Sequence, residues 1–267
     1  RLDLDQVAES FKAEPAVASI MWANNETGTV FPVEELAQMA HEAGALFHTD
    51  AVQCVGKIGM DMSTSAIDML SLSGHKLHAP KGVGALYVRH GTRFSPFMIG
   101  GHQERGRRGG TENVASLVAL GKACELAARN IALENGRVAA LRDRLERGLL
   151  ERIPQAKVNG DPEHRLPNTT SIAFEFIEGE SILLMLNEHK ICASSGSACT
   201  SGSLEPSHVL RAMGVPFTSA HGSVRFSLSV YNTERDIDLV IEKLPAIIAR
   251  LRELSPFWPQ DACKVVA

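Results

Sequence analysis

The sequence predicts an α/β protein of two domains, a large one at residues 1–133 and a smaller α+β one at residues 134–267. Three observations carry this. Residues 16–49 read as strand, polar loop, helix and strand, the unit that lays parallel strands side by side. Two further apolar runs, 67–73 and 83–89, extend such a sheet. Past residue 136 strands and helices still alternate, but around a Ser/Gly loop and without a second unit of that kind.

In order, residues 16–23 are a short apolar run, the mark of a buried strand, and Asn24-Asn25-Glu26-Thr27-Gly28 is a polar loop. Pro32 and the acids Glu34 and Glu35 suit the first turn of a helix, where a missing N–H costs nothing and negative charge meets the positive dipole end. Gly44 stops that helix, and residues 45–49 form the next strand. Residues 91–113 make a loop dense in Gly and Arg, and 115–152 is a long helical tract with Gly136 as its expected break. The domain boundary is therefore expected near 130–136. Beyond it, strands are expected at 170–176 and 223–229, helices at 180–189, 207–212 and 234–254, and a small-residue loop at 193–203.

A composition of 44% hydrophobic and 22% charged residues is that of a soluble globular chain. The net charge of -4 gives no bulk attraction to nucleic acid or to an anionic membrane, and the cluster Arg105, Arg107 and Arg108 makes a local anion site at most. No apolar stretch reaches the roughly 18–20 residues that span a bilayer. Five cysteines, odd in number and without a Cys-x-x-Cys pair, argue against a disulfide framework and for a reducing compartment, with the cytoplasm as the expected location.

Chemistry concentrates at a few positions. Lys76 stands in Ser73-Gly74-His75-Lys76-Leu77-His78-Ala79-Pro80, between a strand and a Gly/Pro turn. A lysine in an arbitrary loop is solvated. Beside Ser73 and His75, which can bind phosphate oxygens, and Gly74, which admits close backbone approach, burial against a cofactor would make it a Schiff-base residue. Asp50 closes a parallel strand, where ligands of such sheets bind, and can pair with a protonated pyridine nitrogen; a turn aspartate satisfies the same position. Gln53 follows within reach of a phenolic oxygen. Cys199 lies in Ser194-Ser195-Gly196-Ser197-Ala198-Cys199-Thr200-Ser201, a loop without bulk to bury a thiol, and reads as a nucleophile, whereas the other four cysteines read as structural. Arg225 within an apolar strand needs an anion partner, which a substrate carboxylate or a structural salt bridge supplies equally. The ten histidines show no metal-ligand spacing. Together these residues read as a pyridoxal phosphate enzyme with a cysteine nucleophile.

The ordered set Asn24-Asn25-Glu26-Thr27-Gly28, His48-Thr49-Asp50-Ala51-Val52-Gln53, Ser71-Leu72-Ser73-Gly74-His75-Lys76 and the Cys199 loop resembles the cysteine desulfurases of the nitrogen-fixation (NifS-like) type, in the class V aminotransferase group. The resemblance implies the fold-type I pyridoxal phosphate transferase architecture, a homodimer, and a reaction turning L-cysteine into L-alanine with a persulfide on Cys199. That sulfur would pass to an iron–sulfur scaffold protein, which leaves Cys199 a transient contact with an iron–sulfur centre as its one metal encounter. It further implies that Lys76 carries the cofactor and serves as base, that Asp50 faces the ring nitrogen and Gln53 the phenolic oxygen, and that Ser73 and His75 bind phosphate. Thr111 would reach the partner subunit's phosphate, Asn25 would orient cofactor and substrate, and Arg225 would clamp the substrate carboxylate. The family's phosphate cradle and ring-stacking histidine have no counterpart here, so an N-terminally incomplete member is expected. Neighbouring readings are a selenocysteine lyase, a class V aminotransferase, or a non-catalytic persulfide module that binds a scaffold.

Overall fold

The computed structural model describes residues 2–195 and 206–258. They fall into two compact units, Arg1–Ala23 with Val30–Ala132, and Asn24–Thr29 with Leu133–Ala267.

The first unit opens with a helix outside the elements expected from the sequence, α1 (Leu4–Phe11), whose N-cap Asp3 accepts the amides of Asp5 and Gln6. None of its residues is fully buried, so its apolar face is only partly covered. Strands β1 (Val17–Ser19), β2 (Leu46–Asp50), β3 (Met69–Ser73) and β4 (Gly84–Val88) form one sheet in that order. The first two pairings are parallel and the last antiparallel. The strand expected over 16–23 shortens to three residues, although Trp22 still donates to the Asp50 carbonyl at 2.9 Å. Helix α2 (Val33–Glu42) makes the crossover and packs on β2, burying Leu36, Ala37 and Ala40 completely. Alternation along β2 sorts its side chains: Phe47 and Thr49 are fully buried, Leu46 and His48 half-buried, and Asp50 exposed.

The loop after β4 holds a short kinked helix, α3 (Gln103–Gly106), and leads to α4 (Val114–Leu133). Leu120 and Ala123 of α4 bury Leu77, pinning the turn that carries Lys76. Gly136 does not break the helical tract. A π-helical turn, Glu134–Val138, absorbs it, and the chain runs on into α5 (Ala139–Arg152).

The second unit is α+β as expected, with elements that the sequence did not announce. Strand β5 (Ala156–Asn159) is a short edge strand beside β6 (Thr169–Phe174). Helix α6 (Gly179–Glu188) precedes β7 (Ser194–Ser195), a two-residue strand inside the expected small-residue loop. Then come α7 (His208–Ala212), the unforeseen α8 (Phe217–His221), β8 (Ser223–Ser227) and α9 (Glu234–Leu254). The sheet order β5-β6-β8-β7 is antiparallel throughout. Ile172 and Phe174 of β6 and Val224 of β8 meet Leu145, Leu149, Ile182, Leu186 and Leu244 in one core, each fully buried side chain contributing about 1.5–3 kcal/mol. Among the described residues, no helix is long and apolar enough to cross a membrane.

Candidate functional site

In the first unit the carboxyl ends of two neighbouring parallel strands carry the polar side chains. Register pairs Asp50 with Ser71, and Ser19 with His48, so Ser19, His48, Asp50, Ser71 and Ser73 lie on one face of the sheet. The Asp50 carboxylate is exposed, and one of its oxygens accepts the Val52 amide at 2.9 Å. That bond anchors one oxygen of the group. Gln53 follows, half-buried, in the turn after β2.

Ser73 leads directly into a single turn of 3-10 helix, Gly74–Leu77. The Gly74 amide donates to Val83 at 2.8 Å, and a Cβ there would lie 2.8 Å from a Val83 methyl, so the close approach requires glycine. Gly74 and Leu77 take the inward positions of this three-residue repeat, and His75 and Lys76 are left exposed. The Ser73 hydroxyl and His75 Nδ1 are joined at 2.8 Å, which presents them as one polar pair beside Lys76.

Farther along, Thr111 is exposed at the end of the Gly/Arg loop. Arg108 folds back on that loop and donates to the carbonyls of Gly109 and Gly110 at 3.1 and 3.0 Å.

The second unit gathers a different set. In the loop Asn24–Thr29, the Asn24 side-chain oxygen accepts the amides of Glu26 and Thr27, each at 2.9 Å, which fixes the turn. Arg225 on β8 donates to the Asn25 carbonyl at 2.5 Å. Residues 200 positions apart are thus brought together. Glu26 is only 6% exposed, and its carboxylate accepts the Ser207 hydroxyl at 2.5 Å. Burial pushes the Glu26 pKa up, against the pull of Ser207, His208 and Arg225. Ser207 also caps α7, accepting the amides of Val209 and Leu210. Cys199 lies outside the described residues.

Sequence reasoning passed over Glu26, Ser207 and the bridge through His48. The imidazole of His48 is held between the hydroxyls of Ser19 and Ser71, both at 2.8 Å. Burial lowers its pKa, and the nearby charge of Asp50 partly restores it. A signal was present, since a histidine two positions before Asp50 in a strand shares its face.

The aminotransferase class-V family profile matches residues 1–240. The chain is 68% identical over 258 residues to a cysteine desulfurase of Gluconacetobacter diazotrophicus, an alignment covering 97% of this chain and 64% of that protein. It is 63% identical over 258 residues to the cysteine desulfurase NifS of Azotobacter vinelandii, again covering 97% and 64%. Among solved structures, a NifS-like protein superposes with a TM-score of 0.85 at 35% identity, covering 94% of this chain and 66% of the other. The chain thus spans about two thirds of the length of the relatives it matches.

Proposed function

The chain belongs to the aminotransferase class-V family, with the α/β architecture of fold-type I, and from that premise we propose that it bears the cofactor face and substrate arginine of a pyridoxal phosphate-dependent cysteine desulfurase. The observation that carries this reading is the placement of Asp50 and the Ser73-Gly74-His75-Lys76 turn at the carboxyl ends of adjacent parallel strands. The donor set fits the cofactor. It offers a carboxylate with one oxygen anchored by Val52, an exposed primary amine, and a hydroxyl–imidazole pair.

Asp50 would face the ring nitrogen, Gln53 the phenolic oxygen, Lys76 would hold the aldehyde carbon, and Ser73 with His75 would take the phosphate. When bound, the cofactor supplies an electron sink for the bonds at a substrate α-carbon. Every other task falls to the chain. Arg225 binds the α-carboxylate of L-cysteine in a fork, its guanidinium oriented by the Asn25 carbonyl. Lys76 carries the proton removed from the α-carbon. The Cys199 thiolate takes the substrate sulfur, forming an S–S bond as the C–S bond breaks, so that L-cysteine leaves as L-alanine and Cys199 becomes a persulfide. An iron–sulfur scaffold protein, in nitrogenase-type cluster assembly, is the acceptor. Thr111 serves the phosphate of the partner subunit in a homodimer. Phe97, Met98, Ile99 and Val118, all exposed in the first unit, support such pairing.

The test is an absorbance spectrum with added pyridoxal phosphate, before and after L-cysteine. A band near the roughly 400 nm of a lysine-bound cofactor that is lost in Lys76→Ala is expected. Cys199→Ala should keep the band and lose persulfide formation. A band that survives Lys76→Ala refutes the role given to Lys76. Turnover that depends on an added keto acid and not on Cys199 points to an aminotransferase instead.

A further inference from the structure

We propose that the Ser19–His48–Ser71 bridge makes His48 a positioning residue for Asp50, setting a neutral imidazole on the face from which that carboxylate meets a protonated ring nitrogen. The proposal rests on the cofactor reading above and adds a residue to which that reading gives no task.

The geometry is specific. Three adjacent strands each contribute one member: Ser19 from β1, His48 from β2 and Ser71 from β3. Both ring nitrogens are engaged at 2.8 Å, so neither the tilt nor the position of the ring is free. A neutral imidazole suits two hydroxyls, donating to one and accepting from the other. Asp50 is the charged member of the row Ser19, His48, Asp50, Ser71 and Ser73, and its field is the one that reaches the ring. Burial favours the uncharged ring, and the carboxylate opposes it.

The consequence is electrostatic. With the imidazole neutral, the Asp50 charge is left whole for a cationic ring nitrogen. An imidazolium beside it would share that charge and weaken the pairing. Cofactor retention should therefore fall as pH drops through the His48 titration, whatever the state of the substrate.

The experiment follows the His48 ring resonance by NMR across pH, assigned by its loss in His48→Gln, alongside the pyridoxal phosphate band of the same samples. The His48 midpoint should lie below 6.5, and Asp50→Asn should lower it further because the attraction that raises it is gone. The wild-type band should show an acid limb that tracks this midpoint, and His48→Gln should lose that limb while keeping the band at neutral pH. Ser71→Ala, a milder change that breaks one end of the bridge, should move midpoint and limb together. An Asp50→Asn variant with an unmoved His48 midpoint overturns the proposal, as does an unchanged acid limb in both His48→Gln and Ser71→Ala. A wild-type chain with no band at any pH refutes the cofactor reading instead, and the Asp50→Asn shift then decides by itself whether His48 and Asp50 act as a pair.

Discussion

Replacing Ser207 by alanine tests the loop that seats Arg225. One hydroxyl does two jobs there: it donates to the buried Glu26 carboxylate at 2.5 Å and accepts the amides of Val209 and Leu210 at 3.1 and 3.3 Å. Loss of a helix cap costs about 1 kcal/mol. Loss of a hydrogen bond to a charged group costs about 1.5–3 kcal/mol, and Glu26 has little water to replace it. Ser207→Ala should therefore destabilise the second unit by about 2.5–4 kcal/mol. Urea denaturation followed by far-ultraviolet circular dichroism measures this, with Ser207→Thr expected to recover most of it. A double-mutant cycle with Glu26→Gln isolates the pair, and a coupling of about 1 kcal/mol or more is expected for groups in contact. A loss under about 0.5 kcal/mol in Ser207→Ala, or additivity within about 0.3 kcal/mol in the cycle, would refute the reasoning. Because Asn25 neighbours Glu26 and holds Arg225, the same variant should raise the KM for L-cysteine more than it lowers kcat.

Arg165→Ala should cost about 1.5–3 kcal/mol in the same urea assay, since it leaves the half-buried Glu146 carboxylate with Thr170 but without the guanidinium at 2.5 Å; a loss below about 0.5 kcal/mol would show that the pair is solvated. Buried Glu26 and half-buried Glu146 should give opposite pH responses in thermal melts. Burial raises the Glu26 pKa, so its contribution is complete below 4.5 and is lost as pH rises through the raised value; Glu26→Gln should flatten that loss. Burial would also raise Glu146, but Arg165 and Thr170 outweigh it and the net shift is down. Its contribution is present above 4.5 and is lost as pH falls through the lowered value, and Glu146→Gln should remove that acid loss. Gly84→Ala puts a Cβ 2.6 Å from the Leu72 carbonyl oxygen, opposite Ser73, and should cost about 1–3 kcal/mol while weakening the pyridoxal phosphate band; a band of wild-type strength would mean that β3 and β4 separate without disturbing the Lys76 turn.

Local pattern determined a good deal of this protein. Apolar runs closed by Gly44 and opened by Pro32 were enough to place α2 between β1 and β2, because a parallel pair demands a crossover and the caps mark its ends. Asp50 could be set at the end of the apolar run that follows Gly44, and Ser73 at a strand end with the Lys76 turn after it, because Gly74, Pro80 and Gly82 punctuate the chain there. Two elements lay outside the expected set: α1, whose Asp3 cap and amphipathic face are a local signal that was there to be read, and β5, a four-residue edge strand whose signal is weak. Lys76 is exposed because the Gly74–Leu77 turn gives its inward positions to those two residues. What tertiary structure alone decided are the pairings across long separations. Glu26 meets Ser207 at a separation of 181 residues, Arg225 meets Asn25 at 200, and His48 joins hydroxyls 29 and 23 residues away on either side. No periodicity encodes such meetings. They arise when strand register and the sheet orders β1-β2-β3-β4 and β5-β6-β8-β7 bring distant polar groups together, and a group so withdrawn from water must find a partner or be costly to bury.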